Sequence, residues 1–400
     1  MKKEQLHELV WRRFIRMPYG HLLDYADENG FTTIPTPEEC AASNPNPMGW
    51  WTPIENGSFF GGLYLEALIE EYRQMPHEET AKCIRTLAEG LFLMQDVARK
   101  DGFIARGVAT DGISHYVCSS DDQVFPWVLA LVSYAQCPVC PDPEAVRQRV
   151  LKTLRAVWDR EGAVPCDNEL ECACPAMLEQ EDWRETTAVL YSAYAMYLMS
   201  GDRRDLERYV RLRDGKPGRS DYTRVEIVSH GFAHNMVRKT HLIQFWIDVS
   251  YHLAAGKLAR LDAEKSSMYA QGCRSNGITA LCFAEDLQAY DNRYGGFGLD
   301  WRKISPLSEP FTGDLSAARK NAEWQNQVWC EKVVPHRYME HVVLGNAIFG
   351  LWIALTCGDT ALEALARQKL RDNIEAVDWN SLTTSYAFAA ESCMIFAEMD

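Results

Sequence analysis

Two kinds of helical segment alternate along the chain, and each has only one comfortable place in a folded protein. The first kind is apolar almost all round and rich in small residues: "FFGGLYLEALIEEY" (59–72), "VFPWVLALVSYA" (124–135), "TAVLYSAYAMYLMS" (187–200), "HLIQFWIDVSYHLAAG" (241–256), "VVLGNAIFGLWIALTC" (342–357) and "YAFAAESCMIFAEM" (386–399). A helix with no polar face must be covered on both sides. The second kind follows after a short polar turn and carries its charges on one face: 78–100, 143–161, 204–214, 257–276 and 361–377. Such a helix covers an inner one and meets water with its other side.

Five hairpins of inner and outer helix are read directly from this alternation, which acts as a structural repeat. The sixth apolar helix has no partner after it, while the amphipathic segment 4–16 has none before it. Pairing the two closes a ring of six. The expected fold is therefore all-α, an (α/α)6 toroid forming a single domain over 1–400, with the N-terminal helix beside the C-terminal one. No Pro/Gly/Ser-rich linker divides the chain. Inner-to-outer turns are short, whereas the outer-to-inner connections 33–57, 101–122, 161–185, 215–236 and 285–339 are long and polar. All of these emerge at one end, around the starts of the inner helices, and loops held by such a scaffold are where function concentrates.

The formal charge of −15 argues against nucleic acid or an anionic membrane surface as partner, since no basic patch interrupts it. No apolar run approaches the roughly 18 residues of a membrane helix. The first residues lack the uncharged core of a signal peptide, and thirteen cysteines form an odd set; together these predict reduced thiols in a cytoplasm. "CPVC" (137–140) and "CAC" (172–174) look like a zinc site, but the repeat puts them at opposite ends of a helix, roughly 20 Å apart. Neither a metal nor a cofactor is expected, and oligomeric state is not readable.

With six hairpins and these loops in place, "GWWTPIENGSFFGGLYLEAL" (49–68) and "DGFIARGVATDGISHYVCSSDDQ" (101–123) resemble the six-hairpin glycosidases, and within them a bacterial branch associated with β-glucuronidase and unsaturated glucuronyl hydrolase activity. "DYTRVEIVSHGFAHNMVRKTH" (221–241) resembles that branch more loosely. The resemblance implies a glycoside hydrolase of carbohydrate metabolism, acting on a glucuronic-type oligosaccharide. It supplies a reaction class and no residue assignment.

Glycoside hydrolysis ordinarily needs two carboxyl groups across one sugar ring. Asp121 and Asp122 stand in "SSDDQ", where Ser120 and Gln123 have the spacing of a capping box, so helix capping competes with catalysis as their role. Glu55 precedes the first inner helix beside Trp50 and Trp51. Glu181, Asp182 and Glu185 precede the third beside Trp183. Asp122 is the expected general acid and Glu55 its partner, with Asp121 and Asp182 as further catalytic candidates.

A uronate needs a cation, and the planar fork of arginine holds a carboxylate through two hydrogen bonds. Arg106, Arg224, Arg238 and Arg337 fall on or beside the rim, Arg106 being the first choice. His230 and His234 stand four apart, followed by His241, while His115, His336 and His341 lie in other rim loops; hydrogen bonds to sugar hydroxyls are their expected use. Trp50, Trp51, Trp183, Trp301 and Tyr116 suit stacking on pyranose faces. Rival readings are a sugar 2-epimerase using the histidines, a polysaccharide lyase using Tyr116 with His115 or His234, and a glycan-binding module without catalysis.

Overall fold

The computed structural model describes residues 2–174, 177–238, 243–283, 300–332 and 339–399. Helix makes up 62% and strand 2%, so the protein is all-α. The apolar segments become α3 (Gly57–Gln74), α5 (Asp121–Ala135), α7 (Trp183–Ser200), α11 (Phe245–Leu261), α14 (Gly345–Leu355, entered through a π-helical turn at Met339–Leu344) and α16 (Ala387–Phe396). The charged segments become α4 (Glu78–Asp96), α6 (Pro143–Trp158), α8 (Arg203–Asp214), α12 (Ser266–Phe283) and α15 (Thr360–Asn373), with α1 at Lys3–Arg13. Short helices α2 (Pro37–Ala41), α9 (Arg224–His230) and α10 (Phe232–Arg238) and the longer α13 (Leu315–Lys332) lie in the connections.

Burial follows the two classes. Every residue from Gln123 to Ala135 of α5 is buried, whereas α8 buries only Tyr209 and Arg213. Packing runs α3 to α5, α5 to α7, α7 to α11, α11 to α14, α14 to α16, and α16 back to α3. Each of α4, α6, α8, α12 and α15 packs on the inner-class helix that precedes it. A methyl group at Gly62 would come 2.6 Å from the Pro126 carbonyl oxygen, so only glycine lets α3 and α5 approach this closely.

The polar turns end and start helices by the means their composition suggested. Gly201 terminates α7 in the left-handed region, and Asp142, Asp202 and Asp359 accept backbone N–H groups at the starts of α6, α8 and α15. Each such cap is worth about 1 kcal/mol. At the chain ends, α1 packs on α16. Glu391 there accepts from Tyr64 at 2.6 Å and lies 2.8 Å from His7 Nδ1, joining α1, α3 and α16. Burial disfavours the His7 cation, but Cys83 and Glu391 outweigh it and push the pKa up to about 10.

Three expected boundaries need correction. The fourth outer helix starts at Ser266, not 257, because Leu258 continues the buried face of α11 past Gly256. The fourth connection is helical as α9 and α10, broken at Gly231 (φ 61°), where a side chain would meet the Asn276 amide oxygen at 2.4 Å. The last connection carries a 3-10 turn (Trp301–Leu307) and α13. Among the described residues no helix is long and apolar enough to cross a membrane.

Candidate active site at the starts of α5 and α7

Asp121 and Asp122 open α5, but the capping box expected from Ser120 and Gln123 does not form. The Ser120 hydroxyl instead donates to the Asp122 carboxylate, and it accepts from Arg106 Nη2 at 2.7 Å. Gln123 is drawn toward α3: its amide donates to Asn56 Oδ1 (3.1 Å) and accepts from the Phe59 N–H (3.3 Å). Asn56 is itself held by Asp24. The acids at this helix start are therefore not consumed by capping.

Asp121 faces inward. Its Oδ2 accepts from the Tyr251 hydroxyl of α11 at 3.2 Å, and the Tyr251 ring stacks on Phe125 with centroids 4.8 Å apart. Burial, followed by the neighbouring charge of Asp122, pushes the Asp121 pKa up to about 6. On α7, Asp182 accepts from the N–H groups of Arg184 (2.9 Å) and Glu185 (3.2 Å), so it is the cap of its helix. Glu185 is pushed well above the carboxylate range by burial, by its hydrogen bond with Asp182, and by the charges of Asp182 and Asp121. Its Oε2 is buried without a hydrogen-bond partner among the described residues. Arg184 reaches away from this cluster to Asp248 of α11, with Nε to Oδ1 at 2.5 Å.

The first connection meets this group through Arg106. The buried guanidinium donates from Nη1 to the Glu55 carbonyl oxygen at 3.2 Å, and Nη2 lies 3.9 Å from Asp122 Oδ1. The Glu55 side chain accepts from the Trp51 N–H at 2.7 Å, and Trp51 adopts φ 73°, a costly conformation for a bulky residue. Cost of this kind persists only where surrounding structure over-determines it, often at functional sites. Behind Asp121, a void of about 20 Å³ lined by Phe125, Trp158, Leu178, Val189 and Ser192 has room for about one water.

No family model, curated protein or solved structure matches this chain.

Other expected contacts go elsewhere. Trp183 and Trp301, expected as sugar-stacking faces, are fully buried and serve the core: Trp183 packs edge-on against Phe232, and Trp301 donates to the Thr33 carbonyl oxygen. Tyr116 is also buried and donates to the Asn44 carbonyl oxygen at 2.6 Å, which engages the hydroxyl that a lyase would use. His115 bridges two connections, with Nε2 2.8 Å from Asp167 and Nδ1 3.0 Å from the Ile113 carbonyl oxygen. Trp50 and Trp51 keep part of their surface and meet edge-to-face at 6.2 Å.

His230 and His234 stack with centroids 6.1 Å apart, with Tyr222 edge-on to both. His234 is buried and bonds the Glu181 carbonyl oxygen, and burial lowers its pKa. Arg238 lies over Tyr222, near Asp221. Arg224 is buried and donates to the Leu178 carbonyl oxygen. Arg337, His241, His336 and the side chain of His341 lie outside the described residues.

"CPVC" follows the end of α5, and Cys174 donates to the Ser119 carbonyl oxygen at its start, so the two cysteine groups are kept apart by the length of that helix. Among the described residues no group of three or more His, Cys, Asp or Glu side chains is placed to hold a metal ion.

Sequence reasoning passed over Glu185 as a principal acid and missed Tyr251 and Asp248 altogether. A signal was present: Asp248 and Tyr251 stand three apart in the largely apolar stretch 245–255, where a buried polar group needs a partner.

Proposed function

We propose that the protein is a glycoside hydrolase built as a six-hairpin toroid, acting on a glucuronic-type sugar with Asp121 as general acid. The toroid reading rests on the closed succession of contacts from α3 around to α16 and back, with one outer-class helix on each. The catalytic reading rests on the carboxyl group of Asp121, held protonated toward pH 6 by burial and by Asp122 beside it. Adjacent acids whose surroundings push one pKa upward are the pattern by which one carboxyl donates a proton while another stays available as base or nucleophile.

In this reading Asp122 is the partner carboxyl, and Arg106 positions it while tying the Glu55 connection to the start of α5. Trp50 and Trp51 supply aromatic surface beside Glu55, and Glu185 adds a second carboxyl whose pKa burial and Asp182 raise. The substrate class comes from the resemblance of 49–68 and 101–123 to the glucuronidase-like branch.

The test is a panel of uronate glycosides, saturated and unsaturated, offered to the wild type and to Asp121→Asn. Hydrolysis that falls on the order of a hundredfold or more in the variant, with the helical circular dichroism intact, supports the assignment. Unchanged turnover in Asp121→Asn refutes Asp121 as the acid, and absence of turnover on every glycoside refutes the reaction class.

A further inference from the structure

Helix α8 carries five arginines in the stretch "RRDLERYVRLRD", and three of them face a carboxylate. Arg203 pairs with Glu207, Arg204 with Asp202, and Arg213 with Asp214, Asp262 and Glu264. Arg208 and Arg211 have no such partner among the described residues, in a chain where acids outnumber bases 56 to 41. Three apart on the helix, they share one face. That face borders an open surface cavity of about 330 Å³ lined by Trp158 and Asp159 at the end of α6, Leu178 of the third connection, and Leu212.

The Arg208 guanidinium lies 5.7 Å from the Trp158 ring centroid, and its only hydrogen-bond acceptor among the described residues is the Met196 sulfur at 3.9 Å. A thioether is a weak acceptor, which leaves guanidinium N–H groups for something else. Two guanidinium groups on one face match the oxygens of a carboxylate or phosphate. Leu178, Leu212 and Trp158 add apolar wall for a ligand body, and the Asp159 carboxylate adds an acceptor suited to a hydroxyl.

We propose that this cavity binds a hydroxylated organic anion of the sugar-acid or sugar-phosphate class, its oxyanion held across Arg208 and Arg211 and a hydroxyl by Asp159. The site shares its Trp158 and Leu178 wall with the void behind Asp121 but contains none of the clustered acids, and it does not depend on the reaction assigned to them.

Isothermal titration with glucuronate, glucose 6-phosphate and inorganic phosphate, on the wild type, on Arg208→Gln/Arg211→Gln and on Asp121→Asn, tests it. The expected result is saturable binding of a sugar anion that weakens at least tenfold in the arginine double variant, weakens with added salt, and persists in Asp121→Asn. Tighter binding of glucuronate or of the sugar phosphate then identifies the head group. Equal affinity in the wild type and the arginine variant, binding of inorganic phosphate alone, or no binding of any probe would overturn the proposal. Both arginines project from an outer helix, and an unchanged melting temperature verifies that the variant is folded.

Discussion

Glu66 of α3 and Asp121 of α5 are both carboxyl groups set among the inner-class helices, and they are accommodated in opposite ways. Toward the C-terminal halves of α5 and α11, Glu66 of α3 accepts from Ser133 at 2.5 Å and meets Lys257 Nζ at 2.9 Å, with Lys257 also donating to Ser133. A base stands against the acid there, and a hydroxyl completes its hydrogen bonds. At the start of α5, Asp121 has instead Asp122 beside it, Glu185 and Asp182 opposite, and one phenol. The nearby Arg184 is engaged by Asp248. An acid matched to a base is an element of structure, whereas acids crowded together raise one another's pKa and hold protons that can be given away.

That contrast breaks most readily at Lys257. Replacing it with Met leaves the Glu66 charge buried without its base, so unfolding by denaturant is expected to show a loss of about 3–5 kcal/mol. Adding Glu66→Gln should return much of it. A loss within about 0.5 kcal/mol, the range of ordinary surface changes, would mean that the ion pair does not hold the helices together.

Asp121→Asn should behave oppositely, and pH reveals it. The folded pKa of Asp121 lies above its unfolded value of about 3.9, so the folded state holds the proton more tightly. Its contribution to stability is present at low pH and is lost as pH rises from about 4 through 6. Melting curves of the wild type across that window should therefore fall relative to those of Asp121→Asn, by on the order of 1 kcal/mol or more. Parallel curves would contradict the raised pKa.

The smallest effect sharpens the picture. The Tyr251 hydroxyl bond favours the charged form of Asp121, so Tyr251→Phe should move the alkaline limb of the pH–rate profile upward by a fraction of a unit while leaving substrate affinity nearly intact. A shift to lower pH would remove Tyr251 from the role of positioning residue.

Much of the fold was legible because helical period and turn chemistry are local. Val124 to Ala135 read as apolar all round and are buried, and the aspartates of "CPD", "SGD" and "GDT" read as turn residues and cap α6, α8 and α15. The helical content of 215–236 and 301–332 was obscured by tryptophan, histidine and charge, which gave those segments the look of rim loops. At the start of α5, local rules predicted bonds that the packed structure replaces. Ser120 and Gln123 have capping-box spacing, yet their side chains bond Asp122 and Asn56, and Asn56 is brought there from the start of α3 only by tertiary packing.

Local sequence was enough to locate the two alternating classes of helix, to say which of them must be covered on both sides, and to show that acids gather at the starts of α5 and α7. Which acid carries the perturbed proton was decided only by tertiary structure. Asp121 and Asp122 are neighbours of the same chemical type, and nothing along the chain says which environment Asp121 enters. Burial is the largest cause of the raised Asp121 pKa, with the charge of Asp122 second, while the Tyr251 hydroxyl, 130 residues away, reaches the carboxylate and opposes the rise. Desolvation and charge–charge interactions depend on distance through space, and that distance exists only once α5, α7 and α11 have packed.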